Sequence, residues 1–258
     1  MLAACSSGSS SSGNHTSRAP NVHGGGSGAS SSATSGNAVV RDENKPLAQT
    51  AGHYVGFESK NKQLQTYWGK IGTTDKPFEV ARINGQEIQL VTKAQPDDDG
   101  DFYRWWEGNP HHGGWIANIS KHLEHARYGR VSKMPGLDDN KAYFFAQGNV
   151  STSLPTTRDN LTYRGRGLMF NFGGGNKKVD ADSEFTVNFF NKTVNGTLSG
   201  ANTVRFSADI QGSHFSSKDK SAVEVKGAFY GADAAEMAGV FRDTGQNIGG
   251  AFGAKKQQ

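Results

Sequence analysis

Short runs of alternating hydrophobic and polar residues recur along the chain from about residue 46 to its end. Residues 185–189 (Phe-Thr-Val-Asn-Phe) and 223–226 (Val-Glu-Val-Lys) show the alternation most clearly, because every second side chain is apolar. A period of two residues places one face of a strand against a core and the other face in solvent. The pattern therefore predicts a mainly β protein.

The first half of this region predicts strands joined by tight turns. Asn84-Gly85 separates two runs rich in strand-forming residues, and this dipeptide is a strong signal for a two-residue β-hairpin. A turn is predicted at 96–100 and a short helix at 120–126. Further strands are predicted at 53–57, 63–69, 101–106, 115–119 and 127–131.

Strands and turns become regularly spaced after a turn-rich joint at 134–140. Asn195-Gly196 predicts a second hairpin, and residues 227–241 predict a strand, one helical turn and a strand. The spacing suits an eight-stranded antiparallel barrel, which removes exposed strand edges by closing on itself. Its predicted strands are 143–150, 161–172, 184–190, 196–200, 204–210, 222–229, 239–241 and 248–252.

Composition divides the chain into three parts. Residues 6–44 consist mostly of Ser, Gly, Ala, Asn and Thr, which bury too little apolar surface to offset the entropy of ordering. We therefore predict a disordered tether at 1–45, a β-rich domain at 46–140 and the barrel at 141–258. The net charge of +4 and the pI near 9.1 are mild, and basic residues alternate with acidic ones, so nucleic-acid binding is not predicted.

The sequence offers little for catalysis or a metal. No Gly-x-Ser-x-Gly motif lies in the predicted folded part. The acidic run Asp97-Asp98-Asp99 lacks the glycine and glutamate spacing of a calcium-binding EF-hand loop. We predict that the protein is not an enzyme.

The single cysteine lies near the start of the chain. Leu2-Ala3-Ala4-Cys5 resembles the bacterial lipobox, in which small residues precede a cysteine that receives a lipid. This resemblance implies lipidation of Cys5 and attachment to a membrane through the lipid alone.

The barrel region resembles a known family. The motifs Gly227-Ala228-Phe229-Tyr230-Gly231, residues 234–241 and residues 248–256 are similar to the closing hairpins of transferrin-binding protein B-like surface lipoproteins, and 161–167 (Leu-Thr-Tyr-Arg-Gly-Arg-Gly) is similar to a strand that opens such barrels. Residues 127–131 resemble a segment at the end of the handle domain that precedes the barrel in this family. The resemblance implies a handle domain at 46–140 and a lipid-anchored, monomeric protein on the outer membrane, exposed at the cell surface.

The resemblance also implies a function. It points to binding of a host serum protein, most of all a complement regulator (factor H or factor I), for immune evasion. Aromatic and arginine side chains supply most interface energy, and their enrichment in the handle predicts the binding face there. The predicted residues are Trp105, Trp106, His111, Trp115, Arg127, Tyr128 and Arg130, although each could instead belong to the core.

Haem is the alternative ligand. Imidazole can ligate haem iron, and the aromatic residues around His111 and His112 could line an apolar haem slot. A related handle-and-barrel group, the hemophilins, binds haem. Otherwise no cofactor is predicted.

Overall fold

The computed structural model describes residues 50–60, 63–90, 97–107, 115–132, 141–172 and 177–258. The described part is built from strands, as the alternating sequence predicts. Its first nine strands are β1 (Thr50–Lys60), β2 (Gln63–Lys70), β3 (Val80–Ile83), β4 (Gln86–Gln89), β5 (Asp97–Asp99), β6 (Phe102–Glu107), β7 (Trp115–Ser120), β8 (Ala126–Ser132) and β9 (Lys141–Asn149).

Seven of these strands form one antiparallel sheet in the order β2-β1-β9-β8-β7-β6-β5, called here the N-terminal sheet. The β3–β4 hairpin is a separate two-stranded sheet. Its residues Ile83 and Ile88 pack against one face of the N-terminal sheet, beside Tyr54 and Tyr143. The hairpin turns at Asn84 and Gly85, with φ of 51° and 77°, which confirms the predicted two-residue turn.

The second half of the chain closes into a barrel of eight antiparallel strands within the described residues. They are β10 (Leu161–Asn171), β11 (Lys177–Asn188), β12 (Thr193–Ser199), β13 (Thr203–Gln211), β14 (His214–Ser216), β15 (Val223–Tyr230), β16 (Glu236–Asp243) and β17 (Ile248–Lys256). A 3₁₀ turn at Ala232–Ala234 links β15 to β16, which confirms the strand, helical turn and strand predicted at 227–241. The fold class is therefore the predicted one.

Aromatic side chains fill the barrel interior. Phe185 and Phe252 pack with ring centroids 4.9 Å apart, and Phe189 and Phe229 are separated by the same distance. All four are buried, so the barrel is a solid core rather than an open container.

A second core joins the other face of the N-terminal sheet to the outer wall of the barrel. Phe57 and Phe144 from the sheet meet Phe170 and Phe172 from the end of β10. Residues 46–258 accordingly form one compact unit. The interface between sheet and barrel is called the junction below.

The structure corrects five local predictions. The run at 143–150 is β9, which pairs with β1 and β8 in the N-terminal sheet, so the barrel begins at β10 and not at residue 141. The barrel's eighth strand is instead the short β14, which the pattern missed. Residues 120–126 form no helix, and Asn195 and Gly196 lie inside β12, paired with Ser207 and Phe206. Part of the predicted turn at 96–100 is strand β5.

Candidate functional site

The predicted binding residues fall into two groups. Trp105 and Trp106 belong to β6 and Trp115 begins β7, but their side chains, like His111 and His112 entirely, lie outside the described residues. Their roles in partner or haem binding stay predictions. The other three residues, Arg127, Tyr128 and Arg130, are all on β8 and are described.

Tyr128 is buried in the junction. Its side chain is fully inaccessible, its hydroxyl donates to the carbonyl oxygen of Arg166 at 2.7 Å, and its ring meets Phe102 edge-on at 5.7 Å. Gly253 leaves room for the ring, since a Cβ there would lie 2.5 Å from it. The prediction that Tyr128 contacts a partner is wrong, because this residue joins the sheet to the barrel.

Arg127 holds the loop that precedes its own strand. Its guanidinium donates to the carbonyl oxygens of Leu123 and Ala126 and lies 5.0 Å from the ring centroid of Phe78. Burial lowers the pKa of Arg127, while Glu236 and Tyr103 oppose that effect. Arg127 therefore stabilises the loop, and these contacts do not support its assignment to the binding face.

Arg130 also points away from solvent. Its guanidinium lies over the ring of Phe170 at 4.3 Å, and burial lowers the pKa of Arg130 to about 10. These contacts do not support the placement of Arg130 on an outer binding face, which stays a prediction. β8 is a central strand of the N-terminal sheet. It turns Tyr128 and Arg130 toward the barrel, whereas Arg127 contacts Phe78, and the strand's own sequence does not show which side is covered.

Polar contacts lock the junction at two places. The carboxylate of Glu236 on β16 accepts hydrogen bonds from the backbone N–H groups of Glu124 and His125, both at 2.8 Å. Farther along, Arg242 pairs with both oxygens of Glu224 at 2.7 and 2.8 Å, and the indole N–H of Trp68 donates to Glu224 at 3.1 Å. Because these groups are partly buried and mutually paired, they fix the orientation of sheet and barrel.

Two histidines face each other across the same junction. His53 on β1 and His214 on β14 meet edge-on with ring centroids 5.7 Å apart. Burial, then electrostatic interactions with His214, Lys226 and Lys70, lower the pKa of His53 to about 4. Burial and Lys70 also lower the pKa of His214. Both rings are thus neutral at physiological pH.

An aromatic and arginine pair is exposed at one end of the barrel. Phe190, in the turn between β11 and β12, is 55% exposed, and the guanidinium of Arg158 stacks 4.5 Å from its ring centroid. Asn188 fixes the turn by donating to Arg158 and Asn160 at 3.1 and 2.9 Å, and it accepts from the N–H of Asn191 at 2.7 Å. Phe190 and Arg158 are called the barrel-end platform below.

Sequence reasoning missed this platform, although a signal was present. In an extended segment, consecutive side chains point to opposite faces, so the doublet Phe189-Phe190 cannot bury both rings in one core. Phe189 is 7% exposed and anchors the turn inside the barrel. A groove of about 780 Å³ on the barrel includes Thr193 and Asp209, which pair with each other close to this turn.

Nothing in the described ranges resembles a metal centre or a membrane helix. No three His, Cys, Asp or Glu side chains come together there to hold a metal ion. In the same ranges, no helix has the length and apolar character needed to span a membrane.

Comparison with known proteins identifies the fold. Residues 154–256 match the family model described as the C-lobe and N-lobe β-barrels of Tf-binding protein B. An uncharacterized protein of Haemophilus influenzae is 29% identical over 137 residues, which span 49% of this chain and 47% of that protein.

Solved structures extend the likeness beyond the barrel. TbpB from serogroup B Neisseria meningitidis superposes with a TM-score of 0.55 at 19% identity, over 81% of this chain and 44% of that one. Intact Ap-TbpB, with its N and C lobes, superposes with a TM-score of 0.54 at 22% identity, over 81% of this chain and 46% of that one. The match spans about half the length of these relatives. The chain has the handle-and-barrel fold of one TbpB-like lobe, with the N-terminal sheet as its handle.

Proposed function

We propose that this chain is a non-enzymatic binding protein that captures a host serum protein at the bacterial surface. The observation that carries the proposal is the handle-and-barrel fold, shared with proteins whose names state transferrin binding. The solid barrel core supports it, because a barrel filled with phenylalanine rings has its outer surface and loops left for recognition.

The barrel-end platform is the surface we propose for the partner. A half-exposed phenylalanine backed by an arginine on a rigid turn has the composition of an interface hot spot. Tyr128 and Arg130 are engaged in the junction, and Arg127 holds the loop before β8, so the handle has fewer anchors for a partner than its sequence suggested.

The proposed identity of the partner rests on the family resemblance of the sequence. We propose a complement regulator, factor H or factor I, as the partner, and immune evasion as the outcome. Transferrin is the competing partner, since the matched solved structures carry that name. Lipidation at Cys5 and an outer-membrane, cell-surface location belong to the same proposal.

A pull-down from host serum with the full chain, read by mass spectrometry, tests the proposal. The recovered protein is then compared with purified factor H, factor I and transferrin by surface plasmon resonance. Recovery of one of the regulators supports the finer proposal, recovery of transferrin replaces it, and recovery of no serum protein contradicts the proposed function.

Variants of the platform test the binding surface. Phe190→Ala combined with Arg158→Ala should weaken binding of the recovered partner at least about tenfold, because hot-spot truncations cost about 2 kcal/mol or more. Tyr103→Ala is the matched control, since Tyr103 is the other large exposed hydrophobic residue of the described part and lies on the handle. If Tyr103→Ala weakens binding and the platform variant does not, the binding surface is on the handle.

A further inference from the structure

A row of polar side chains crosses the barrel-facing side of the N-terminal sheet. Arg104 on β6 is directly opposite Asn118 on β7, and Asn118 is directly opposite Arg130 on β8. Directly opposed residues of antiparallel strands project from the same face, with Cβ atoms about 5 Å apart. Phe144 on β9 continues the row and contacts Phe170 of the barrel, which places the row inside the junction.

Arg130 is half-buried, and its guanidinium forms no ion pair with the described acidic residues. Its guanidinium rests on the ring of Phe170, and its Nε–H has no hydrogen-bond partner among the described residues. Burial lowers the pKa of Arg130, and no acidic residue of the described part acts against this effect. Burying an arginine without a carboxylate partner is costly, so such a site favours an anion.

Asn118 adds a second unused donor beside the first. The residue is 2% exposed, and its side-chain Nδ2 finds no acceptor in the described part of the chain. Buried amide groups are almost always hydrogen-bonded, because an unpaired one costs about 1–3 kcal/mol. Two adjacent donors, one of them cationic, thus lack acceptors in the same row.

A lysine of the barrel lies near the same row. Lys178 on β11 lies 5.7 Å from the ring centroid of Phe102, and its ammonium pairs with Asp180 at 3.4 Å. Arg104 is exposed, so the row leads from solvent toward Arg130.

We propose that Arg130 and Asn118 form a binding subsite for an oxyanion, the carboxylate or phosphate group of a small ligand. The guanidinium would donate through Nε and a terminal nitrogen to two oxygens, a geometry that suits both groups, and the amide of Asn118 would donate to one of them. The subsite does not depend on the proposed capture of a serum protein.

Thermal unfolding of the full chain tests the subsite. Wild type and Arg130→Met are compared in sodium chloride, sodium phosphate and sodium acetate at equal ionic strength and pH. The wild-type Tm should rise by about 3–5 °C and saturate with phosphate or acetate, because a ligand that binds only the folded state stabilises it. Arg130→Met should show no saturable rise, and its Tm in chloride should exceed that of wild type because a partly buried charge is gone.

Arg164→Met is the matched control. Arg164 lies on the barrel surface with a side chain 62% exposed and pairs with Glu184 at 2.9 Å. Arg164→Met removes one positive charge, as Arg130→Met does, so the two variants have the same net charge. Arg164→Met should respond to the anions as wild type does. The arm that saturates at the lower concentration identifies phosphate or carboxylate as the preferred group.

A nuclear magnetic resonance titration of the wild-type chain provides a second measurement, which does not depend on whether the Arg130→Met variant folds. The ¹H–¹⁵N signal of Arg130 Nε in the wild-type chain should shift saturably with the effective anion and remain unchanged with acetamide, which lacks the charge. Equal Tm rises in wild type and Arg130→Met, or an Nε signal that no anion moves, would overturn the proposal.

Discussion

Glu236 shows how one side chain can hold two domains together. Its carboxylate is 2% exposed and satisfies two backbone N–H groups of the loop between β7 and β8. Glu236→Ala should lower the free energy of unfolding by about 3 kcal/mol, because it leaves two buried donors without an acceptor. Urea unfolding followed by fluorescence measures the change.

Glu184→Ala is the control for this loss. Glu184 also pairs with a basic residue, but its side chain is 59% exposed, and exposed ion pairs contribute about 0–1 kcal/mol. If the two variants lose equal stability, Glu236 does not hold the junction in the way described.

Residue-scale prediction from sequence succeeded for backbone geometry and failed for exposure. The sequence of β8, Ala-Arg-Tyr-Gly-Arg-Val-Ser, correctly predicts a strand, but exposure depends on what covers each face. Here both faces of a central strand are covered, one by the barrel and the other by the β3–β4 hairpin. Arginine and tyrosine in such a strand pack through their apolar parts and keep their polar ends bonded, which one sequence cannot distinguish from a binding face.

Glycines let the handle and barrel strands approach each other closely. A Cβ on Gly249 of β17 would lie 2.0 Å from the Phe57 ring of β1. Gly249→Ala should therefore destabilise the protein by about 2–4 kcal/mol, because Phe57 is packed among other rings and cannot move without strain. Thermal and urea unfolding measure the loss.

Gly245→Ala is the matched control, because its nearest neighbour would be a carboxylate oxygen of Asp243 at 3.4 Å. This variant should change stability by no more than about 0.5 kcal/mol. A comparable loss in both variants would mean that backbone effects of glycine, rather than the contact with Phe57, dominate.

Element-scale prediction was reliable where the signal is local. The Asn84-Gly85 turn follows from the backbone preferences of two residues and was found. β9 was assigned to the wrong sheet because its alternation identifies a strand without identifying its partners. β14 is only three residues long and exists through its pairing with β13 and β15, so no local pattern marks it. Gly196 suggested a turn, yet it leaves space for the rings of Phe185 and Phe206 inside the barrel.

At the scale of the whole molecule, the junction is the part whose stability we expect to depend on pH. Phenylalanine rings supply the apolar contact of the junction, and Glu236 and the Glu224–Arg242 pair supply its polar contacts. The rings of His53 and His214 meet edge-on in the same interface. Apolar contacts are insensitive to pH, whereas buried titratable groups are not. The pH response of folding should therefore originate at the histidines of this interface.

Acid should weaken the protein through His53. A pKa near 4 in the folded chain, against about 6.5 when unfolded, means that the unfolded chain binds more protons between these values. Stability from this group is complete above pH 6.5 and is lost as pH falls toward 4. His53 alone should cost about 2 kcal/mol between pH 7 and pH 5.

His53→Gln removes the titrating group while keeping a polar side chain of similar length. Its free energy of unfolding should fall less than that of wild type between pH 7 and pH 5, by about the same 2 kcal/mol, when both are measured by urea unfolding at each pH. His214, Lys70 and Lys226 are the charged or titratable neighbours that disfavour protonation of His53, and they remain in the variant. A wild-type profile parallel to that of His53→Gln would show that this histidine is not the origin of acid sensitivity, because only a group that titrates between pH 7 and pH 5 can change the slope there.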